Sequence, residues 1–267
     1  MNTGPQDQDP RIATLGEDLV LLTLQQGGGR LATPQVTGVG LMGAELVRLA
    51  ASGRVDIDSG RIQVLDPAPT GDAEADAALA SLAAQQRPPR AKAWCSRPRR
   101  GICDAYLARL AAAGAIIAQE QTRLGFIRVR RWQVTDPARA QAARARLDAI
   151  ARGTGEVDLA QAAFGGLAHA IGLSGSLYPG KDGRAARKRL EVVAEGDVTA
   201  APAGHAAHHA VHAASHAAWV AEWTAATDPP RDPVRPGTRL APVSRPGAEC
   251  GPRPRRAWPG SAQPPAR

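Results

Sequence analysis

Apolar residues in this chain recur mostly at helical spacing. Leu15 to Leu24 (LGEDLVLLTL) is almost continuously apolar after Thr14, and Glu17 stands three residues beyond it. That pattern predicts a buried helix opened by a capping box. Val36 to Ala51 predicts a second helix, with Leu41, Leu46, Leu49 and Ala50 turned toward the first. Arg54 to Leu65 (RVDIDSGRIQVL) changes to alternation around Ser59-Gly60, the signature of a hairpin. Further helices are predicted over Ala73 to Gln85 behind an Asp72 cap, and over Ile102 to Ala113. Others are predicted from Asp136 to Gly153 with Pro137 in the first turn, and over Arg184 to Glu195 with Leu190 and Val193 inward. Asp158 to Leu173 (DLAQAAFGGLAHAIGL) is nearly all apolar yet short and glycine-rich, and predicts the central core helix. His169 within it is expected to be a satisfied core histidine.

Between Ala115 and Val134 lies a different piece, AIIAQEQTRLGFIRVRRWQV. It predicts a hairpin with an apolar tip, Leu124, Phe126 and Ile127, fenced by Arg123, Arg128, Arg130 and Arg131. An apolar tip among arginines suits an anionic membrane surface, with aliphatic and ring groups in the acyl boundary and guanidinium groups at the headgroups. The plainer alternative is a surface hairpin whose Phe126 folds back onto the core.

Composition sets the boundaries. Residues 1–12 are polar and expected to be flexible. Residues 13–227 are expected to form one mainly α globular domain around a buried central helix, with short β-hairpins. Residues 228–267, rich in Pro, Gly and Arg, are expected to be a disordered tail. The net charge of +8 belongs largely to that tail, whose eight arginines face only Asp228, Asp232 and Glu249, leaving +3 on the rest. A basic segment survives in the body: Arg87, Arg90, Lys92, Arg97, Arg99 and Arg100. Cys95, Cys103 and Cys250 form no metal or redox spacing, as expected of a reducing cytoplasm. No run approaches a membrane span, and the N-terminus lacks the apolar stretch of a signal peptide.

Candidate chemistry is sparse. Gly38, Gly40 and Gly43 fit G-x-G-x-x-G, with Asp58 at the spacing of a ribose ligand, so a dinucleotide-binding enzyme is one alternative. Pro34 stands where the buried first strand should run, and no strand–helix alternation follows. His205, His209, His212 and His216 share one face of a predicted helix, a spacing that suits zinc or nickel. No carboxylate or cysteine accompanies them closely, so no metal site is assigned. Arg139, Arg144 and Arg146 are expected on a solvated helix face. A nucleic-acid-associated role through the basic segment and tail is a second alternative. There is no P-loop, no G-x-S-x-G and no H-E-x-x-H. No catalytic residue and no cofactor is therefore assigned, and a binding protein is favoured over an enzyme.

Several segments, in order, resemble the Golgi phosphoprotein 3-like family: LGEDLVLLTL, GLMGAELVRLAASGRV, DPAPTGDAEADAAL, YLARLAAAGAI, the apolar hairpin, FGGLAHAIGL and AARKRLEVVAEGD. The Ala-, Arg- and Gly-heavy composition resembles an actinobacterial member. The resemblance implies a helical domain and a cytoplasmic, peripheral location on the cytoplasmic face of a membrane. It implies binding of anionic lipid, with phosphatidylinositol 4-phosphate as the family's ligand, and membrane-protein clients rather than nucleic acid as partners. In the family a basic pocket uses a Trp and an Arg from the loop entering the second helix, and two Arg from the start of the helix before the hairpin. Those positions fall here near Thr33 and on Met42, Arg100 and Cys103, so only Arg100 is retained. The headgroup-binding residues expected are Arg97, Arg99, Arg100, Arg128, Arg130 and Arg131, with anionic lipids bound generally.

Overall fold

The computed structural model describes residues 9–195, apart from 32, 124–126 and 156. The expected tail, the histidine-rich helix and the hairpin-tip residues Leu124 and Phe126 lie outside the described residues, as do the side chains of 121–129. Ten helices and two hairpins make the described chain mainly α. In order these are α1 (Pro10–Ala13), α2 (Leu15–Gln26), α3 (Pro34–Ala51), β1 (Val55–Asp58), β2 (Arg61–Val64), α4 (Ala73–Ala83) and α5 (Ala91–Cys95). There follow α6 (Ile102–Ala112), β3 (Ile116–Arg123), β4 (Ile127–Val134), α7 (Pro137–Arg152), α8 (Leu159–Ala170), α9 (Leu173–Leu177) and α10 (Arg184–Ala194). Helical structure thus begins at Pro10, capped by Asp9 and seating Ile12 in the core, before the expected boundary at residue 13.

The apolar runs form the core. α2, α3 and α8 are buried along almost their whole lengths, so the expected central helix α8 shares that place with α3. α8 opens with a capping box between Asp158 and Gln161. The Ser59-Gly60 turn joins β1 to β2 with both residues at positive φ, the two-residue turn whose twist matches a hairpin. The segment after α4 is not loose. Ile62 donates its amide to Pro89 and Ala91 to Gly60, and Ala91, Trp94 and Cys95 are buried. His169 Nδ1 lies 3.0 Å from Ser174 Oγ, as a satisfied core histidine should.

The capping box expected at Thr14 is corrected, and the dinucleotide alternative gives way to the expected helix. Thr14 makes no cap bond to α2. Its hydroxyl lies 3.3 Å from both the Pro10 carbonyl and an Asp18 carboxylate oxygen, sharing its one hydrogen between them, and Glu17 turns away to Arg109 and Arg139. The glycine motif is no phosphate loop. Gly38, Gly40 and Gly43 lie inside α3, Pro34 is its first residue, and the two sheets are antiparallel hairpins. The glycines serve packing instead: a Cβ on Gly40 would sit 2.6 Å from Ile171 Cγ2, and one on Gly38 3.0 Å from Pro98 Cβ. The dinucleotide alternative therefore fails on geometry.

Buried and half-buried charges tie the helices together. Tyr106 on α6 donates to Glu45 on α3, which pairs with Arg48 one turn on. Arg48 also reaches Asp72 at 2.9 Å, and Asp72 pairs with Arg109 of α6. Arg109 reaches Glu17 of α2, which takes Arg139 of α7 as well. Asp72 meanwhile caps α4 by accepting from the amides of Glu74 and Ala75. This explains the Pro69 to Asp72 turn: Thr70 donates amide and hydroxyl to Asp76, which fixes Asp72 over three helices. Burial alone would raise the Asp72 pKa. Arg48, the Ala75 amide and Arg109 outweigh it and hold the carboxyl well below its usual range. Arg139, Arg144 and Arg146 are not on a solvated face. They are half-buried against Glu17, Asp148 and Asp18, and Arg146 also covers the Phe164 ring at 4.0 Å.

Candidate functional site

Two helices begin at the same place on the surface. α3 starts at Pro34 behind Thr33, and α6 starts at Ile102 behind Gly101, whose φ of 79° turns the chain into the helix. Neither helix takes a cap from the side chain before it. Between the two starts lies a groove of about 620 Å³, walled by Leu31, Pro34 and Gln35 on one side and Pro98, Arg99 and Cys103 on the other. Two open helix N-termini thus face one groove. Each carries about half a positive charge, which favours an anion, although the Ile102 amide is taken by the Arg99 carbonyl and Pro34 has no N–H to offer.

The walls are fixed. Gly38 lets Pro98 approach α3 directly, and Cys103 Sγ donates to the Pro34 carbonyl at 3.4 Å. Burial, with a smaller push from Asp104, raises the Cys103 pKa to about 11, so the thiol keeps the proton that this bond uses.

The expected headgroup arginines separate on inspection. Arg97, Arg99 and Arg100 all lie in the turn between α5 and α6, but Arg99 alone of the three lines the groove. Its guanidinium is engaged by Glu74 in the first turn of α4. Arg97 and Arg100 are exposed, and neither has an ion-pair partner among the described residues. Asp104 adds a carboxylate to the lining. Of the family's ligand positions, Met42 lies deep inside α3 and is 4% exposed, so it belongs to the core and not to a loop. Cys103 lines the groove, and Thr33 precedes the Pro34 wall.

The β3–β4 hairpin stands beside the groove. Its strands pair only with each other, from Ile116 opposite Val134 at the base to Arg123 opposite Ile127, a ribbon about 26 Å long. The base is held by Trp132, whose amide donates to Gly29 at 2.7 Å, and by Arg131, which donates to Gly28 at 3.1 Å. Leu31, in the same connection between α2 and α3, lines the groove, so one short segment supports both features. Arg130 is exposed, with its guanidinium 5.8 Å from the Trp132 ring centre. Arg131 is partly committed to its backbone bond. The side chains of Arg128 and Ile127 lie outside the described residues, as do Leu124 and Phe126.

Sequence reasoning missed Glu74, which governs Arg99, and Asp104, which tempers the groove. It also missed the second helix start as part of the site. Gly101 before an apolar helix was the available signal for that start. No helix among the described residues is long and apolar enough to cross a membrane, and no cluster of metal-ligating side chains occurs among them.

The described residues form a mainly helical domain with a groove between two helix starts and a long hairpin anchored at its base. The chain belongs to the Golgi phosphoprotein 3 (GPP34) family, which it matches over residues 15–214, from α2 through the last described helix and beyond. No curated protein matches it.

Proposed function

We propose that this protein is a peripheral membrane protein of the cytoplasmic face that binds anionic phospholipid headgroups, phosphatidylinositol 4-phosphate among them. It acts by binding rather than catalysis, and membrane-protein clients are its partners. The observation that carries the reading is the groove itself: two helix starts without side-chain caps meet there, with Arg99 in the wall and, in the same turn, exposed Arg97 and Arg100 without an ion-pair partner among the described residues. The hairpin base rests on the segment that also supplies Leu31 to the groove wall, which supports a joint role for hairpin and groove. The sequence supplies the insertion residues, Leu124, Phe126 and Ile127.

The test is co-sedimentation with vesicles of phosphatidylcholine alone, with phosphatidylglycerol, or with phosphatidylinositol 4-phosphate. Binding to both anionic kinds, none to the neutral vesicle, and loss of binding by Phe126→Asp are expected. A protein that ignores all three vesicles, or a folded Phe126→Asp variant that binds as before, would refute the reading.

A further inference from the structure

The groove cation is already occupied. Arg99, the basic residue in the wall, is paired with Glu74, whose side chain is only 17% exposed and belongs to the first turn of α4. Asp104 supplies a further carboxylate to the lining. With Arg99 neutralised and Asp104 present, the side chains lining the groove offer no net positive charge. Only the two helix N-termini remain to attract an anion.

An incoming anion must therefore take Arg99 from Glu74. A phosphodiester headgroup carries one negative charge, the same as the carboxylate it would displace. A phosphomonoester carries about −1.5 to −2 near neutral pH and three acceptor oxygens, enough for the guanidinium fork and helix amides at once. Resting on the headgroup reading above, we infer that Glu74 is a specificity-determining residue: it holds Arg99 so that the groove admits phosphomonoester groups and turns away phosphodiesters. Attraction through Arg97, Arg100 and Arg130 remains general for anionic surfaces. The discrimination lies in the competition between Glu74 and the ligand.

The test compares wild type, Glu74→Gln and Arg99→Gln on phosphatidylcholine vesicles doped with phosphatidic acid or phosphatidylglycerol, adjusted to equal surface potential. Wild type is expected to prefer phosphatidic acid by about fivefold or more, as one further charge-assisted hydrogen bond in the groove would give. Glu74→Gln is expected to erase that preference by gaining on phosphatidylglycerol. Arg99→Gln is expected to erase it by losing on phosphatidic acid. Soluble glycerol 3-phosphate should displace wild type from phosphatidic acid vesicles where dimethyl phosphate does not. Thermal melts confirm that each variant is folded.

A Glu74→Gln variant whose lipid ratio equals that of wild type overturns the inference while leaving the headgroup reading intact. So does an equal gain on both lipids, which would make Glu74 a source of general repulsion only. Failure of glycerol 3-phosphate to compete would place the preference in the bilayer and overturn it too. Absence of binding to both lipids by all three proteins overturns the headgroup reading itself.

Discussion

Tyr106 donates its phenolic hydrogen to Glu45, and both side chains are closed to solvent, at 1% and 0% exposure. Burial raises the pKa of each. For Tyr106 the Glu45 charge adds to it, while for Glu45 the Arg48 charge and the Tyr106 bond oppose it. Removing the hydroxyl with Tyr106→Phe leaves a buried acceptor short of a partner. The expected cost is about 1.5–3 kcal/mol in urea denaturation, the range for a bond to a charged group. The ring is equally confined, since a Cβ on Gly16 would lie 2.5 Å from it. Gly16→Ala is expected to cost about 1–3 kcal/mol through overpacking. A loss within error for both variants would show that this contact contributes nothing to stability.

Asp72 carries more load than its neighbours. Asp72→Ala removes an N-cap and one partner each from Arg48 and Arg109, for an expected loss of about 3–5 kcal/mol. Asp72→Asn keeps capping ability and loses the charge. Its cost should depend on pH in a defined direction. The folded carboxyl has a pKa well below its ordinary value, so the unfolded chain takes up a proton that the folded chain refuses. The contribution is complete above the unfolded value of about 3.9 and falls away as pH drops below it toward the folded value. Denaturation of wild type and Asp72→Asn at pH 7 and pH 3 should show the gap narrowing at pH 3. A constant gap would mean that the charge is not what Asp72 contributes.

The α3 glycines predict a stability effect and no cofactor effect. Gly40→Ala gains helix propensity of about 1 kcal/mol but drives a methyl to within 2.6 Å of Ile171. Overpacking of about 1–3 kcal/mol outweighs that gain in most of its range, so the variant should be less stable by urea denaturation. A calorimetric titration of wild type with NAD or NADP should give no heat. Saturable heat would reopen the reading that the helix excludes.

Arg97 and Arg100 predict a salt-dependent attachment. Replacing both with Gln should weaken binding to anionic vesicles by about 1 kcal/mol for each residue at low salt, with the difference shrinking as salt rises. Since neither has an ion-pair partner among the described residues, melting temperature should stay unchanged. Vesicle binding that is equal in wild type and variant would remove both residues from the proposed surface.

Local chemistry was legible in the sequence, and distant pairing was not. Ser59-Gly60, the Asp72 cap, Pro137 at the start of α7 and the inward Leu190 and Val193 are each specified by near neighbours, and each stands as read. The basic and apolar stretches of the site could be read, but not how they are engaged. Glu17 looked like half of a capping box until Arg109 and Arg139 arrived from distant helices. Arg146 looked solvated because its partner, Asp18, lies on another helix. The same holds for Arg99, which reads as a free cation until α4 brings Glu74 to it. Periodicity reports which side of a helix faces inward. It does not report which opposite charge waits there.

Asp72 and Glu74 sit two residues apart where α4 begins, and their partners lie in different places. Asp72 is anchored to the buried Arg48 and ties in Arg109 of α6, while Glu74 holds Arg99 at the groove wall. One end of that turn is therefore foundation and the other is fitting. The proposed exchange of counterions at Glu74 would leave the Asp72 contacts to Arg48 and Arg109 in place. The surface can alter its charge without the helices beneath having to rearrange.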